Sequence, residues 1–382
     1  MQDTTTASAP TKQQSKQRLN WLDHLKGISI LGIVLFHFFQ NYPDPSPLVS
    51  ALDRVGAKVG FMAVDLFFII AGFNISYAFA RKNITNFSWG EFNWKTWIKA
   101  RIFRLYPSFF YAVLFIYITY AIFQYQYPEW SFDFLLSLLG WAGLKFQVIN
   151  PGLWFFTVIL EAYLITPIFY SLFKGNHRWI AVSMILVAIA TKIACLATLS
   201  GSEDWYFFLV SNNFIGSYIG QFGLGLFWGH SYWHNGNRFK PRDFYGSLLI
   251  FVAALVIYIA LSASGQDFRY MIGFDLAFTP LTFLGLYFLF SRSEVWSKAN
   301  ALLTLTLQGL STLGKYSYQI FLIHQPLFFV ILPILTGLIA LGTIPELASV
   351  LVITLILLTL YVLLFLQLEK TMAPITRRLL KS

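Results

Sequence analysis

Ten stretches of about twenty residues run through this chain with almost no charge. They lie at 22–42, 59–80, 101–124, 153–173, 179–199, 213–233, 245–264, 271–291, 312–337 and 346–368. An apolar run of that length is what a helix needs to cross a hydrocarbon core about 30 Å thick. The pattern therefore predicts an all-α, polytopic helical membrane protein with about ten transmembrane helices. The 57% hydrophobic, 12% charged composition agrees, since so little charge could not clothe a soluble domain with so much apolar surface. A further apolar stretch, 131–147, is short and Trp-rich, and reads as a re-entrant or interfacial piece.

The basic residues set the orientation. Of the 27 Lys and Arg, only Arg54, Lys58, Lys145 and Arg269 fall in connections on the side opposite the N-terminus, while Lys192 and Lys315 lie within or at the edge of spans. The rest gather on one face, which the positive-inside tendency assigns to the cytoplasm together with both termini. The net charge of +10 thus reflects a membrane rather than nucleic acid as the partner. Residues 1–19 are polar and lack a signal-peptide core, so they are expected to be a disordered cytoplasmic tail. Residues 20–370 are expected to form one transmembrane domain, and 371–382 a short basic cytoplasmic tail. Cys195, the single cysteine, sits in an apolar run, so neither a disulfide framework nor a cysteine metal cluster is expected. The Asn83 and Asn86 sequons fall on the cytoplasmic side and carry no weight.

Four ionisable residues interrupt the apolar runs at similar depth. His37 stands eleven residues above Lys26, on nearly the same helical face and about 16 Å along the axis. His324 lies about 18 Å from the cytoplasmic end of its span, whereas Asp65 is about 8 Å and Glu161 about 12 Å below the outer ends of theirs. Titratable groups in a bilayer are costly and usually mark a functional site facing the protein interior, the alternative being polar contacts between helices.

Several segments resemble a known family. Lys26 followed eleven positions later by His37, after Leu22-Asp23, is similar to the opening motif of the membrane-bound acyltransferase 3 family. So are Val64-Asp65-Leu66-Phe67-Phe68-Ile69-Ile70-Ala71-Gly72-Phe73, Arg101-Ile102-Phe103-Arg104-Leu105-Tyr106-Pro107, and Gly152-Leu153-Trp154-Phe155-Phe156 with Tyr163-Leu164-Ile165-Thr166-Pro167. The late motif is matched by Leu313-Gly314-Lys315-Tyr316-Ser317-Tyr318 and Leu322-Ile323-His324-Gln325-Pro326. Lys26 replaces the family arginine, keeping charge but losing the planar fork. The position of the family glutamate falls on Ile159, with Glu161 two residues later.

The resemblance implies an integral O-acyltransferase of the bacterial inner membrane, most simply an acetyltransferase. It would move an acyl group from cytoplasmic acetyl-CoA, or another acyl-CoA, to a sugar hydroxyl of a lipid-linked or exported glycan. His37 would act as base or acyl carrier, Asp65 would fix its tautomer, and His324 would be a second catalytic group or a helix contact. Lys26, Arg101 and Arg104, with Tyr106, Trp154 and Glu161, would hold the donor and its substrate. Pro107 is expected in the first turn of its helix. No metal is implied: His230 and His234, spaced i,i+4, are expected to be structural. The glycines between Gly216 and Gly229 read as a helix-packing face, and Trp89, Trp94, Trp97, Trp205 and Trp233 as interface anchors. A proton-coupled transporter or glycan exporter is the alternative, although the inverted repeats common in transporters are absent. A non-enzymatic partner of glycan synthesis would leave His37 dispensable.

Overall fold

The computed structural model describes residues 19–43, 46–125, 132–140, 150–198, 214–264, 275–296, 300–339 and 343–379. Among these residues the regular structure is helical throughout, without strands. The helices are α1 (Asn20–Gln40), α2 (Pro47–Arg81), α3 (Trp94–Ile122), α4 (Phe132–Leu138), α5 (Trp154–Leu172), α6 (His177–Thr198), α7 (Ile219–His234), α8 (Pro241–Ala263), α9 (Asp275–Trp296), α10 (Ala301–Lys315), α11 (Ser317–Leu338) and α12 (Thr343–Leu379). Short 3₁₀ turns at Pro151–Leu153 and Ile215–Ser217 precede α5 and α7. Seven helices (α1, the Met62–Arg81 part of α2, α3, α5, α6, α11 and α12) are long and apolar enough to span a membrane. The other three expected spans are present as α7, α8 and α9. Residues 1–18, Trp205, Arg269, residue 131 and 141–147 with Lys145 lie outside the described residues.

Two expectations of local structure are corrected. The expected span 312–337 is two helices, broken at Tyr316, so that α10 is an element the hydropathy pattern missed. The break is capped locally: Tyr316 N–H reaches back to the Thr312 carbonyl, and the Ser317 hydroxyl donates to the Gly314 carbonyl at 3.0 Å. Pro107 is not in a first turn. Helix α3 starts at Trp94, where the Asn93 side chain accepts from Thr96 N–H at 2.9 Å, so Pro107 lies inside the helix and removes one backbone donor there. Helix α12 runs on to Leu379.

Glycine determines how closely the helices meet. Helices α2 and α7 run parallel in register, Gly72 against the Phe222 carbonyl, Gly225 against that of Ile69 and Gly229 against that of Phe73. A Cβ at any of these positions would run into the facing backbone. Gly27 and Gly314 do the same between α1 and α10, meeting the carbonyls of Leu310 and Asp23. Backbone-to-backbone contact of this kind is how membrane helices associate without a hydrophobic driving force. It also sets the position of α10, whose end carries Gly314 and Lys315 toward Lys26.

Candidate active site

The site begins with a proline. Pro326 in α11 has no N–H, so the Leu322 carbonyl one turn earlier loses its helical donor. The Asn150 side chain, fully buried at the turn before α5, supplies the missing bond: its Nδ2 donates to Leu322 O at 3.0 Å and its Oδ1 accepts from Gly152 N–H at 3.1 Å. The α5 entrance is thereby fastened to the turn of α11 that carries Phe321 and His324.

His324 is 0% exposed. Its Nδ1 lies 2.9 Å from the carbonyls of both Ile320 and Phe321. Carbonyls only accept, so Nδ1 carries the proton and Nε2 of the neutral ring is an acceptor. That Nε2 is 3.3 Å from Nδ1 of His37, the two rings lying nearly parallel at 5.0 Å between centroids. His37 must then donate from Nδ1, which leaves its Nε2 with a bare lone pair. His37, one turn from the outer end of α1, is partly exposed, so this lone pair belongs to the ring that substrate can reach. The arrangement is an imidazole oriented through its second nitrogen by a buried partner, a geometry suited to general-base catalysis. A proton taken up at His37 Nε2 can be balanced by transfer of the Nδ1 proton to His324, whose own Nδ1–H remains on two carbonyl dipoles.

Asp65 does not hold this tautomer. Its two oxygens accept from Gln221 Nε2 of α7 at 3.2 Å and from Thr279 Oγ1 of α9 at 3.1 Å, so it ties three helices together; the group on His37 Nδ1 is His324. His324 in turn is a positioning residue, because it is sealed from substrate. Replacing it by phenylalanine is expected to lower kcat by about ten- to a hundredfold, the usual cost of losing a group that orients a working histidine. The KM for the acyl donor should stay nearly constant in the same steady-state assay, which separates this effect from a binding defect.

On the other side of the pair lies a cavity of about 190 Å³ between α1, α2, α3, α5 and the α10–α11 turn. Lys26, Arg101, Arg104 and Lys315 line it, and among the described residues no carboxylate does. Lys26 is held by Asp23 at 3.3 Å, and Arg101 rests over the Trp97 ring at 5.2 Å. The Arg101 Nε is buried without a hydrogen-bond partner. A buried guanidinium donor without an acceptor is costly and is satisfied by an anion entering the cavity. Tyr163 and Tyr318 add phenols to the wall, the latter donating to Leu105 O at 3.2 Å.

The structure thus gathers five of the nine expected residues into the histidine pair and the cavity, and places Asp65 and three others elsewhere. Tyr106 donates to Leu138 O at 2.9 Å, joining α3 to α4. Trp154 is buried against Tyr218, rings 5.6 Å apart. Glu161 accepts Ile215 N–H at 2.9 Å and caps the turn before α7. None of the three lines the cavity. His230 and His234 join His177 in a column of rings, centroids 3.8 and 4.1 Å apart, with His177 against the Tyr170 hydroxyl at 3.2 Å. No group of three metal-ligating side chains occurs among the described residues. Asn150, Tyr163 and Lys315 had not been singled out for the site. Tyr163 and Lys315 stand in segments that resemble the family's motifs, whereas Asn150 is marked only indirectly, because Pro326 demands a donor for Leu322 O from some other part of the chain.

A family model described as an acyltransferase domain matches residues 19–364. Among curated proteins the chain is similar to "Regulator of hypoxia-inducible factor 1" of Caenorhabditis elegans, 26% identical over 216 residues. That match covers 50% of this chain and 40% of the relative, so the chain spans less than half of that longer protein. No solved structure matches.

Proposed function

Since the chain belongs to the acyltransferase 3 family and is a multi-pass membrane acyltransferase, we propose that it is an O-acyltransferase using cytoplasmic acyl-coenzyme A, most simply acetyl-CoA, to acylate a hydroxyl of a lipid-linked or exported glycan at the bacterial inner membrane. The observation that carries this reading is the pairing of a carboxylate-free cationic cavity with a histidine base on the same helix. Lys26 and His37 are separated by about 16 Å along α1, comparable with the extended pantetheine arm of coenzyme A. With the phosphates at Lys26, Arg101, Arg104 and Lys315, the thioester is carried toward His37.

His37 Nε2 takes the proton of the acceptor hydroxyl as its oxygen attacks the thioester carbonyl. The C–O bond forms, the C–S bond breaks, and the coenzyme leaves as a thiolate that recovers the proton. Because His37 lies near the outer end of α1, the hydroxyl arrives from the side opposite the donor. Direct transfer is favoured over an acyl-histidine, since the Nδ1 hydrogen bond to His324 orients the ring as a base.

The donor half is tested by isothermal titration of the purified protein in nanodiscs with desulfo-coenzyme A. Wild type should bind, and Arg101→Ala should weaken binding by about tenfold or more through loss of a charge-assisted phosphate contact. Wild-type protein that binds no coenzyme A while supporting proton-driven glycan movement would replace this reading with the transporter.

A further inference from the structure

The upper limit of the cationic cavity is built from one residue type. The outermost lining residue on α2 is Phe67, on α5 Phe155 and on α11 Phe321. Their rings interlock, with Phe67 and Phe155 edge-on at 6.1 Å and Phe155 and Phe321 at 4.7 Å. Phe155 is 8% exposed and Phe321 3%, while Phe67 is partly exposed. Beyond them stands the histidine pair. The far side of Phe321 meets the His324 ring edge-on at 6.0 Å, and the Phe321 carbonyl is one of the two that hold His324 Nδ1–H. Below the three rings the walls carry cations and phenols; above them are the imidazoles of His37 and His324.

We infer that Phe67, Phe155 and Phe321 form an aromatic constriction between the donor cavity and the histidine base, which selects a short acyl group and keeps cytoplasmic water from the thioester carbonyl. This rests on the donor reading above. A thioester coming from the cationic end must part the rings, which are in contact with centroids 4.7 Å apart, so a bulkier acyl group demands a larger displacement. The rings then close around the arm, so that the acyl carbon meets an incoming hydroxyl and not water. Water that did reach the base would give the same bond changes as the proper acceptor: its proton goes to His37 Nε2, its oxygen bonds the acyl carbon, the C–S bond breaks, and free acid and coenzyme A thiol result. Phe155 is the residue to alter, since it touches both of the other rings and makes no hydrogen bond to the histidines.

The experiment measures coenzyme A release by chromatography, without any glycan, from acetyl-CoA and octanoyl-CoA with full-length protein in nanodiscs. Wild type, Phe155→Ala and Phe155→Leu are compared, with desulfo-coenzyme A affinity as the control for an intact cavity. Phe155→Ala should raise hydrolysis of acetyl-CoA at least about tenfold and raise the octanoyl-to-acetyl ratio of kcat/KM by a similar factor, as expected when several methylenes are admitted to a site that excluded them. Phe155→Leu should fall between the two. Unchanged hydrolysis and an unchanged chain-length ratio in both variants, with coenzyme A still bound, would overturn the constriction while leaving the donor site standing. Failure of wild type to bind desulfo-coenzyme A would overturn both, and is read separately from the two rates. Should Phe155→Ala lose the control affinity through misfolding, the Phe155→Leu values decide alone.

Discussion

Replacing His37 with alanine is expected to lower kcat for acyl transfer by about 10²- to 10⁴-fold, the range supplied by a positioned general base. The argument is geometric. His324 is locked by the carbonyls of Ile320 and Phe321, so its Nε2 can only accept, and His37 must offer its own Nδ1–H. The accessible lone pair at His37 Nε2 is therefore fixed by a chain of hydrogen bonds that ends in backbone. Alanine removes the base without touching the cavity lined by Lys26, Arg101 and Arg104. Coenzyme A affinity should survive while turnover collapses, a split that steady-state kinetics beside isothermal titration resolves. Glutamine at position 37 can keep a hydrogen bond to His324 but cannot take a proton, so it should be as inactive as alanine. Near-wild-type turnover in either variant would remove His37 from the chemistry and favour a role for the pair in helix packing.

Gly225→Val is expected to prevent stable assembly of the α2–α7 pair. A Cβ at this position runs into the Ile69 carbonyl and approaches the Phe73 amide, both backbone atoms that cannot rotate away. The helices would have to separate along a seam that also includes Gly72 and Gly229. Overpacking in a well-packed core costs about 1–3 kcal/mol and occasionally more, and here the strain falls on backbone at the closest point. Separation also pulls Gln221 from Asp65. The thermal unfolding midpoint in detergent should drop sharply, with loss of a monodisperse species on gel filtration. Gly309→Ala is the matched comparison, because nothing lies within 4 Å of its new methyl. That variant should match or exceed wild type, alanine being the better helix former by about 0.5–1 kcal/mol. Equal behaviour of the two variants would mean that close approach at Gly225 does not hold the helices.

Legibility from the sequence differed by kind of feature. Helical membrane architecture followed from apolar length, which each segment carries within itself. Helix α10 did not, because Thr, Gln, Gly and Lys interrupt its leucines; its end brings Gly314 against the Asp23 carbonyl, a contact nearly 300 residues distant in sequence. Pro107 was misplaced for a similar reason: hydropathy located the apolar part of α3, while its capped start at Asn93 is polar and lies two turns earlier.

His37, His324, Lys26, Arg101 and Arg104 could be chosen from sequence alone, because charge within a bilayer is expensive wherever it occurs and so stands out without reference to any partner. Which partner each one meets depended on packing. Asp65 and Glu161 are as conspicuous in sequence as His37, yet one is held by Gln221 and Thr279 and the other by a backbone amide. Both depth estimates put them near the histidine, but depth along a helix says nothing of azimuth across the bundle. The tertiary structure supplied that second coordinate. It turned Asp65 toward α7 and α9, set His324 against His37, and brought three phenylalanines, unremarkable in a chain with forty, together on the wall of the cationic cavity.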